Sequence, residues 1–166
     1  MLRLKIVLIT LVMVMVTALC GVVMAANSLV TATVSAGIEV NAASPSITLN
    51  VGPNTINVPS AVTVDVNANS WSLKVVGQNS GYLHSSSANY NLGQVTPDNP
   101  LKLSVDTLSG KYSGSTVSLA ASSASTLASG VAAGEFPIPV NFIQTVRGDE
   151  PAKSDYTMTL TYTGSL

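Results

Sequence analysis

Apolar and polar residues alternate along most of this chain, the period-two signature of strands with one buried face. Val34, Ala36, Ile38 and Val40 share one phase, with Ser35, Gly37 and Glu39 on the other. Ile47, Leu49 and Val51 form a second stripe, which Gly52-Pro53-Asn54 ends. Val62, Val64 and Val66 follow, with Thr63, Asp65 and Asn67 facing out. Beyond an Ala68-Asn69-Ser70 turn come Trp71, Leu73 and Val75, and the two stripes predict a hairpin. Residues 77–99, rich in Gly, Ser, Asn and Pro, predict a long loop with a short strand around Tyr90 and Leu92. Leu101, Leu103 and Val105 make another stripe, and Thr116 to Leu119 a weaker one. The Ala-Ser-Gly-rich stretch 120–134 fits a short helix or a mobile loop. Phe136, Ile138, Val140 and Phe142 alternate again, with Pro137 and Pro139 in the opposite phase. Two prolines in one strand predict an edge position or a late start, since each lacks a ladder donor. Arg147 to Pro151 reads as a turn, and Tyr156, Met158, Leu160 and Tyr162 as the last strand.

This pattern predicts an all-β fold, an antiparallel immunoglobulin-like β-sandwich of about seven to nine strands. A small barrel shares the same periodicity. Apart from the short helix that 120–134 could form, no convincing helix lies past the N-terminal segment.

That segment breaks the alternation. Arg3 and Lys5 precede an apolar run that starts at Ile6, and Val23-Met24-Ala25-Ala26 closes it. A positive start, an apolar middle and small residues at the end predict a signal peptide over 1–25, folded as a helix, and a single sandwich domain over 26–166. Cleavage after Ala26 is the near equivalent. The run also has about the ~20 residues that span a bilayer, so an uncleaved anchor is the second reading. Lipidation at Cys20 is the third, weakened because Leu19 before it is not small. The expected location is therefore secreted, at the extracellular cell surface.

Without Arg3 and Lys5, five basic and eight acidic side chains remain, a net charge of about −3. Nucleic acid and anionic lipid both want a basic patch, so neither is an expected partner; membrane contact is expected only through the signal or anchor segment. Charged residues are 9% of the chain, against roughly 25% in average soluble domains. The surface is thus neutral and hydroxyl-rich, suited to packing against a neighbour or a polymer. Cys20 is the only cysteine, so the domain must be held by its core without disulfides. No Asn-x-Ser/Thr sequon occurs, so N-glycosylation is not expected.

Catalytic chemistry is poorly supported. A triad of Ser85, His84 and Asp98 can be written down, but adjacent residues seldom form one, and His84 reads as a solvated loop histidine. Asp65-Val66-Asn67-Ala68-Asn69 resembles the start of a calcium loop, yet Ser70 and Val76 stand where Gly and Glu are wanted. The outward face of a strand has the same spacing. Asp149, Glu150 and Asp155 form a weak candidate calcium cluster. Arg147-Gly148-Asp149 matches an integrin-binding tripeptide, although a turn explains its glycine. No cofactor, metal or catalytic residue is expected, and the chain is read as a non-enzyme. Trp71, the only tryptophan, fits either a sugar-stacking platform or a sandwich core, and its phase favours the core. Tyr82, Tyr90 and Tyr112 lie in or near predicted loops and are the candidate polymer contacts.

Trp71-Ser72-Leu73, followed downstream by Tyr156-Thr157-Met158-Thr159-Leu160-Thr161-Tyr162-Thr163, resembles the two signatures of WxL domains, secreted surface domains of Gram-positive bacteria. The matching positions are Trp71, Leu73, Tyr156, Leu160 and Thr161. Tyr162 and Gly164 depart from the Trp and Leu of the distal pattern. The resemblance implies non-covalent retention at the cell wall through wall polymer or other surface proteins, with those five residues in the binding motif. Two alternatives come from other features. The alternating segment Asn27–Asn41 could be donated to another copy of the chain, making it a filament or pilus subunit. A carbohydrate-binding accessory module is the thinner one, since only eight aromatic residues are available.

Overall fold

The computed structural model describes residues 33–94, 98–120 and 123–166. The expected signal peptide, Cys20 and the first part of the Asn27–Asn41 segment lie outside the described residues. In chain order the strands are β1 (Ile38–Ala42), β2 (Gly52–Val66), β3 (Trp71–Gly77), β4 (Leu83–Ser85), β5 (Tyr90–Leu92), β6 (Lys102–Ser104), β7 (Tyr112–Gly114), β8 (Thr116–Ser118), β9 (Ser125–Gly130), β10 (Gly134–Val146), β11 (Tyr156–Thr157) and β12 (Leu160–Ser165). The unit that begins at Ser35 is thus all-β, and among its described residues all pairing is antiparallel and twelve strands occur, against the seven to nine expected. Asn79–Gly81 forms a single 3-10 turn, and among the described residues no helix is long and apolar enough to cross a membrane.

Two sheets make a sandwich-like body. One has the order β1-β2-β10-β6-β8, the other β12-β3-β9-β7, and a small third sheet, β11-β4-β5, stands apart. The core lies where inward phases meet: Val62, Val64 and Val66 from β2, Phe136, Ile138, Val140 and Phe142 from β10, and Trp71, Leu73 and Val75 from β3. Each of these residues alternates with a more exposed one, so the period-two pattern sets which side chains leave water.

Pairing differs from expectation in five places. The stripes of β2 and β3 form no hairpin, because β2 pairs with β1 and β10 while β3 pairs with β9 and β12 in the other sheet. Ile47 to Val51 is no strand. Asn54 ties that stretch into a loop, accepting from Asn50 N at 3.0 Å and donating to Asn50 O at 2.7 Å, and the predicted turn at Gly52-Pro53-Asn54 becomes the start of β2. Residues 125–130 of the Ala-Ser-Gly stretch form β9 rather than a helix or loop, pairing with β3 where Gly130 leaves the room that Trp71 fills. The predicted last strand divides, its first two residues joining β4 and its remainder joining β3.

The fifth difference concerns the prolines. β10 is central, not an edge, but β6 pairs only with Asn141 to Ile143, which leaves the Pro137–Pro139 stretch flanked by β2 alone. Opposite Pro139 the register slips, with Pro59, Ser60 and Ala61 of β2 lying between the pairs Val58–Val140 and Val62–Ile138. Ser60 takes φ 52° there. Pro59 and Pro139 have no N–H, so both fit at a break in the ladder.

Candidate functional site

The motif residues do not converge. Trp71 is 3% exposed. Its Nε1–H donates to Ala132 O at 3.1 Å, and its ring lies 5.4 Å from Phe136 and 6.4 Å from Tyr112. Gly130 faces it across the ladder, and a Cβ there would come within 1.9 Å of the indole. Leu73 is fully buried, Leu160 half-buried and Thr161 exposed. β12 runs beside β3, but Leu160 opposes Gly77 while Ser165 opposes Ser72. Leu160 and Trp71 are thus separated along β3 by about 20 Å of strand rise. Tyr156 stands in the third sheet, its hydroxyl donating to Pro151 O at 2.9 Å. The two motif halves share a sheet border, not a surface.

The candidate contact tyrosines are largely enclosed. Tyr112 sits in the core, edge-on to Phe136, and burial raises its pKa. Tyr82 is also buried, and its hydroxyl donates to Asp98; that hydrogen bond, with burial, pushes the phenol up to about 12. Neither can offer a ring to a polymer, which corrects the loop reading: the segments that carry them turn inward to fill the interior. Tyr90 is half-buried, raised by burial and by the neighbouring Glu150 carboxylate.

The polar groups hold local structure. Ser85 Oγ donates to Asp155 Oδ1 at 2.6 Å, and Ser87 N donates to Asp155 Oδ2 at 2.8 Å. These bonds lower the Asp155 pKa to about 2 and brace the turn between β4 and β5. His84 belongs to β4, not a loop, with Nδ1 2.8 Å from Asn91 Oδ1. Ser85, His84 and Asp98 therefore have three different partners and assemble no triad. Glu150 is buried, accepting from the backbone N–H groups of Gly93 and Arg147. Asp149 accepts from Arg147 at 2.9 Å and 3.0 Å. Asp149, Glu150 and Asp155 are thus tied to separate groups, and no metal-binding group of three His, Cys, Asp or Glu occurs among the described residues. The same contact pairs the first and third residues of the Arg-Gly-Asp tripeptide with each other. Gln144 is buried beside this region, its Nε2 donating to Asn99 O at 3.0 Å.

The concavity of interest lies at the end of the sandwich where β1 stops. It is a groove of about 610 Å³. One wall is Ala42 to Ile47, the other Tyr156 to Leu160, with Leu83, Leu101 and Phe142 at its floor. Ser44 to Ile47 belongs to no sheet, and past Ala42 that wall is tied by Ala43 N donating to Ala61 O at 2.9 Å. On the other wall Met158 and Thr159 link β11 to β12, and β12 has a sheet neighbour on one side only. Tyr162 borders the groove, and burial raises its phenol to about 12. No charged side chain lines it. Tyr156 and Leu160 of this groove belong to the motif read from the sequence, whereas the opposite wall has no such motif. Its one signal was the Ser44-Pro45-Ser46 interruption of the alternation.

The chain was compared with protein-family models, with curated proteins and with solved structures, and none matches.

Proposed function

We propose that this chain is a non-catalytic protein of the extracellular cell surface, retained at the envelope by non-covalent contacts with other surface proteins or with wall polymer. The immunoglobulin-like form of the sandwich belongs to the same proposal; a core tryptophan on β3 between two antiparallel sheets supports it. The observation that carries the reading is the uncharged groove bordered by Ser44–Ile47, which join no sheet, and by β11 and β12, each with a sheet neighbour on one side only. Such a site offers main-chain hydrogen bonds and apolar contact, the means by which strands add to sheets. It favours a protein partner over stacking on sugars, because Tyr82 and Tyr112 are buried instead of arrayed on a face. Retention of this kind is little screened by salt and yields to urea or guanidinium. The test is extraction of the envelope fraction: the protein stays through a salt wash and leaves in urea. Release of intact protein by moderate salt alone would overturn the reading.

A second version, a filament subunit built by strand donation, is favoured by one observation. Val34 is 83% exposed although it continues the apolar phase of Ile38 and Val40, which pack against the core. Ile38 to Ala42 already pair with β2, so the donated segment shrinks from Asn27–Asn41 to the residues before Gly37.

A further inference from the structure

We propose that the groove between Ala42–Ile47 and Tyr156–Leu160 is the acceptor for a strand from a second copy of this chain, supplied by the residues that precede Gly37. The inference rests on the filament reading above and adds its acceptor site and its polarity. Three features match donor to groove. The sequence before Gly37 alternates Val30, Ala32, Val34 and Ala36 with Thr31, Thr33 and Ser35, so an extended strand would present one apolar face. Apolar side chains line the groove, with Ile47, Met158 and Leu160 half-buried and so open to such a face, while Leu83, Leu101 and Phe142 are buried. Neither partner carries a charged side chain: residues 27–37 hold no Asp, Glu, Lys, Arg or His and neither does the groove lining. A charged strand would lose its hydration there without a counter-ion.

Polarity follows from where the chain joins the sheet. Asn67 anchors that point, accepting from Gly37 N at 2.6 Å and donating through Nδ2 to Ser35 O at 2.9 Å. The groove begins at the far end of β1, at the level of Ala42 and Ala61. Five strand steps, about 17 Å, separate Gly37 from Ala42. Donor origin and acceptor thus lie at opposite ends of one edge strand. A contact between unlike surfaces at opposite ends is heterologous, and it propagates into an open filament unless its rotation happens to close a ring.

The test uses the mature full-length protein in three forms: wild type, an arm variant Val34→Asp/Ala36→Asp, and a groove variant Ser46→Arg/Thr159→Arg. All four positions are exposed, so the fold has little reason to fail, and thermal melts by circular dichroism check it. Size-exclusion chromatography with light scattering reads the outcome. Wild type should form polymers, and each variant alone should remain monomeric. Mixed in equal amounts, the variants should give a species of twice the monomer mass that grows no further, because only one donor and one groove remain intact. Filaments from the groove variant, or a mixture that stays monomeric while both variants melt as wild type does, would overturn the acceptor assignment. So would normal polymers of the groove variant coupled with loss of sedimentation on purified cell walls, which would give the groove to wall polymer. A wild type that never polymerises would remove the filament reading itself, and this inference with it.

Discussion

At the Trp71 end of β3 the interior closes on three aromatic rings; at the Gly77 end it closes on carboxylates, hydroxyls and amides beside an open groove. The rings of Trp71, Tyr112 and Phe136 leave no room for a side chain at Gly130. At the other end Asp155, Glu150 and Asp98 each hold a specific donor: Ser85, the Gly93 N–H and the Tyr82 hydroxyl. Shape secures the first end, where a misfit of one methyl group matters. Hydrogen bonding secures the second, where a lost partner or a changed protonation state matters. The contrast also explains why the groove lies where it does. A polar end built from short strands, none of β4, β5 and β11 exceeding three residues, leaves sheet edges uncovered.

The largest expected effect breaks the aromatic end. Trp71→Ala should cost roughly 3–5 kcal/mol, as large aromatic truncations do, measured by urea unfolding. Gly130→Ala drives a methyl into the indole and should cost about 1–3 kcal/mol by overpacking, or more. Losses below about 0.5 kcal/mol for both would mean that shape does not secure this end.

Glu150→Ala comes next. It strands two backbone donors, Gly93 N and Arg147 N, and a buried group left without its partner costs about 1–3 kcal/mol. Hydrogen exchange at those two amides should accelerate, while the amides around Trp71 keep their protection.

The two ends should also separate by pH. Asp155 titrates at about 2 when folded, against an ordinary 3.8. Its contribution is fully present above the ordinary value and is lost as pH falls through the folded one. Carboxyl NMR should place its midpoint near 2, and Ser85→Ala should raise it; a midpoint near 4 in the wild type would show that the serine bonds do not persist in solution. In alkali the sign reverses. Tyr82 and Tyr162 are held at about 12 against 10, so their contribution is present below pH 10 and lost as pH rises through 12. Ultraviolet titration should find these two phenols among the last to ionise. The smallest effect belongs to Arg147→Ala, where an exposed pair with Asp149 is worth about 0–1 kcal/mol.

The inward faces were legible in the sequence because burial of every second residue is a local pattern. Val62 to Val66, Trp71 to Val75, Leu101 to Val105 and Phe136 to Phe142 all point as their phase indicates. Partners were not legible, because pairing is long-range. The two apolar stripes around Ala68-Asn69-Ser70 carry the signature of a hairpin, and only the rest of the chain sends them to different sheets. The polar end was least legible of all. Ser85, Gln144 and Glu150 look like surface residues in a sequence, and only their geometry shows them buried, Ser85 and Glu150 with their partners in place and Gln144 bonded through Nε2 while its Oε1 has no partner among the described residues. The groove was hard to read for a related reason: its wall at Ser44 to Ile47 joins no sheet, and only the Ser44-Pro45-Ser46 interruption of the alternation marks it.

The distance along the chain between partners has a kinetic consequence. β2 finds β10 across 84 residues at the Asn57–Asn141 side-chain bond, and β3 finds β12 across 93 at Ser72–Ser165. Loops of that size must close before the contacts they bring together can reward closure, so folding should fall in the slow, millisecond-to-second range of non-local β topologies. A chain emerging N-terminus first cannot complete either large sheet until its last strands appear. During that interval β2 and β3 offer bare edges to any extended segment nearby.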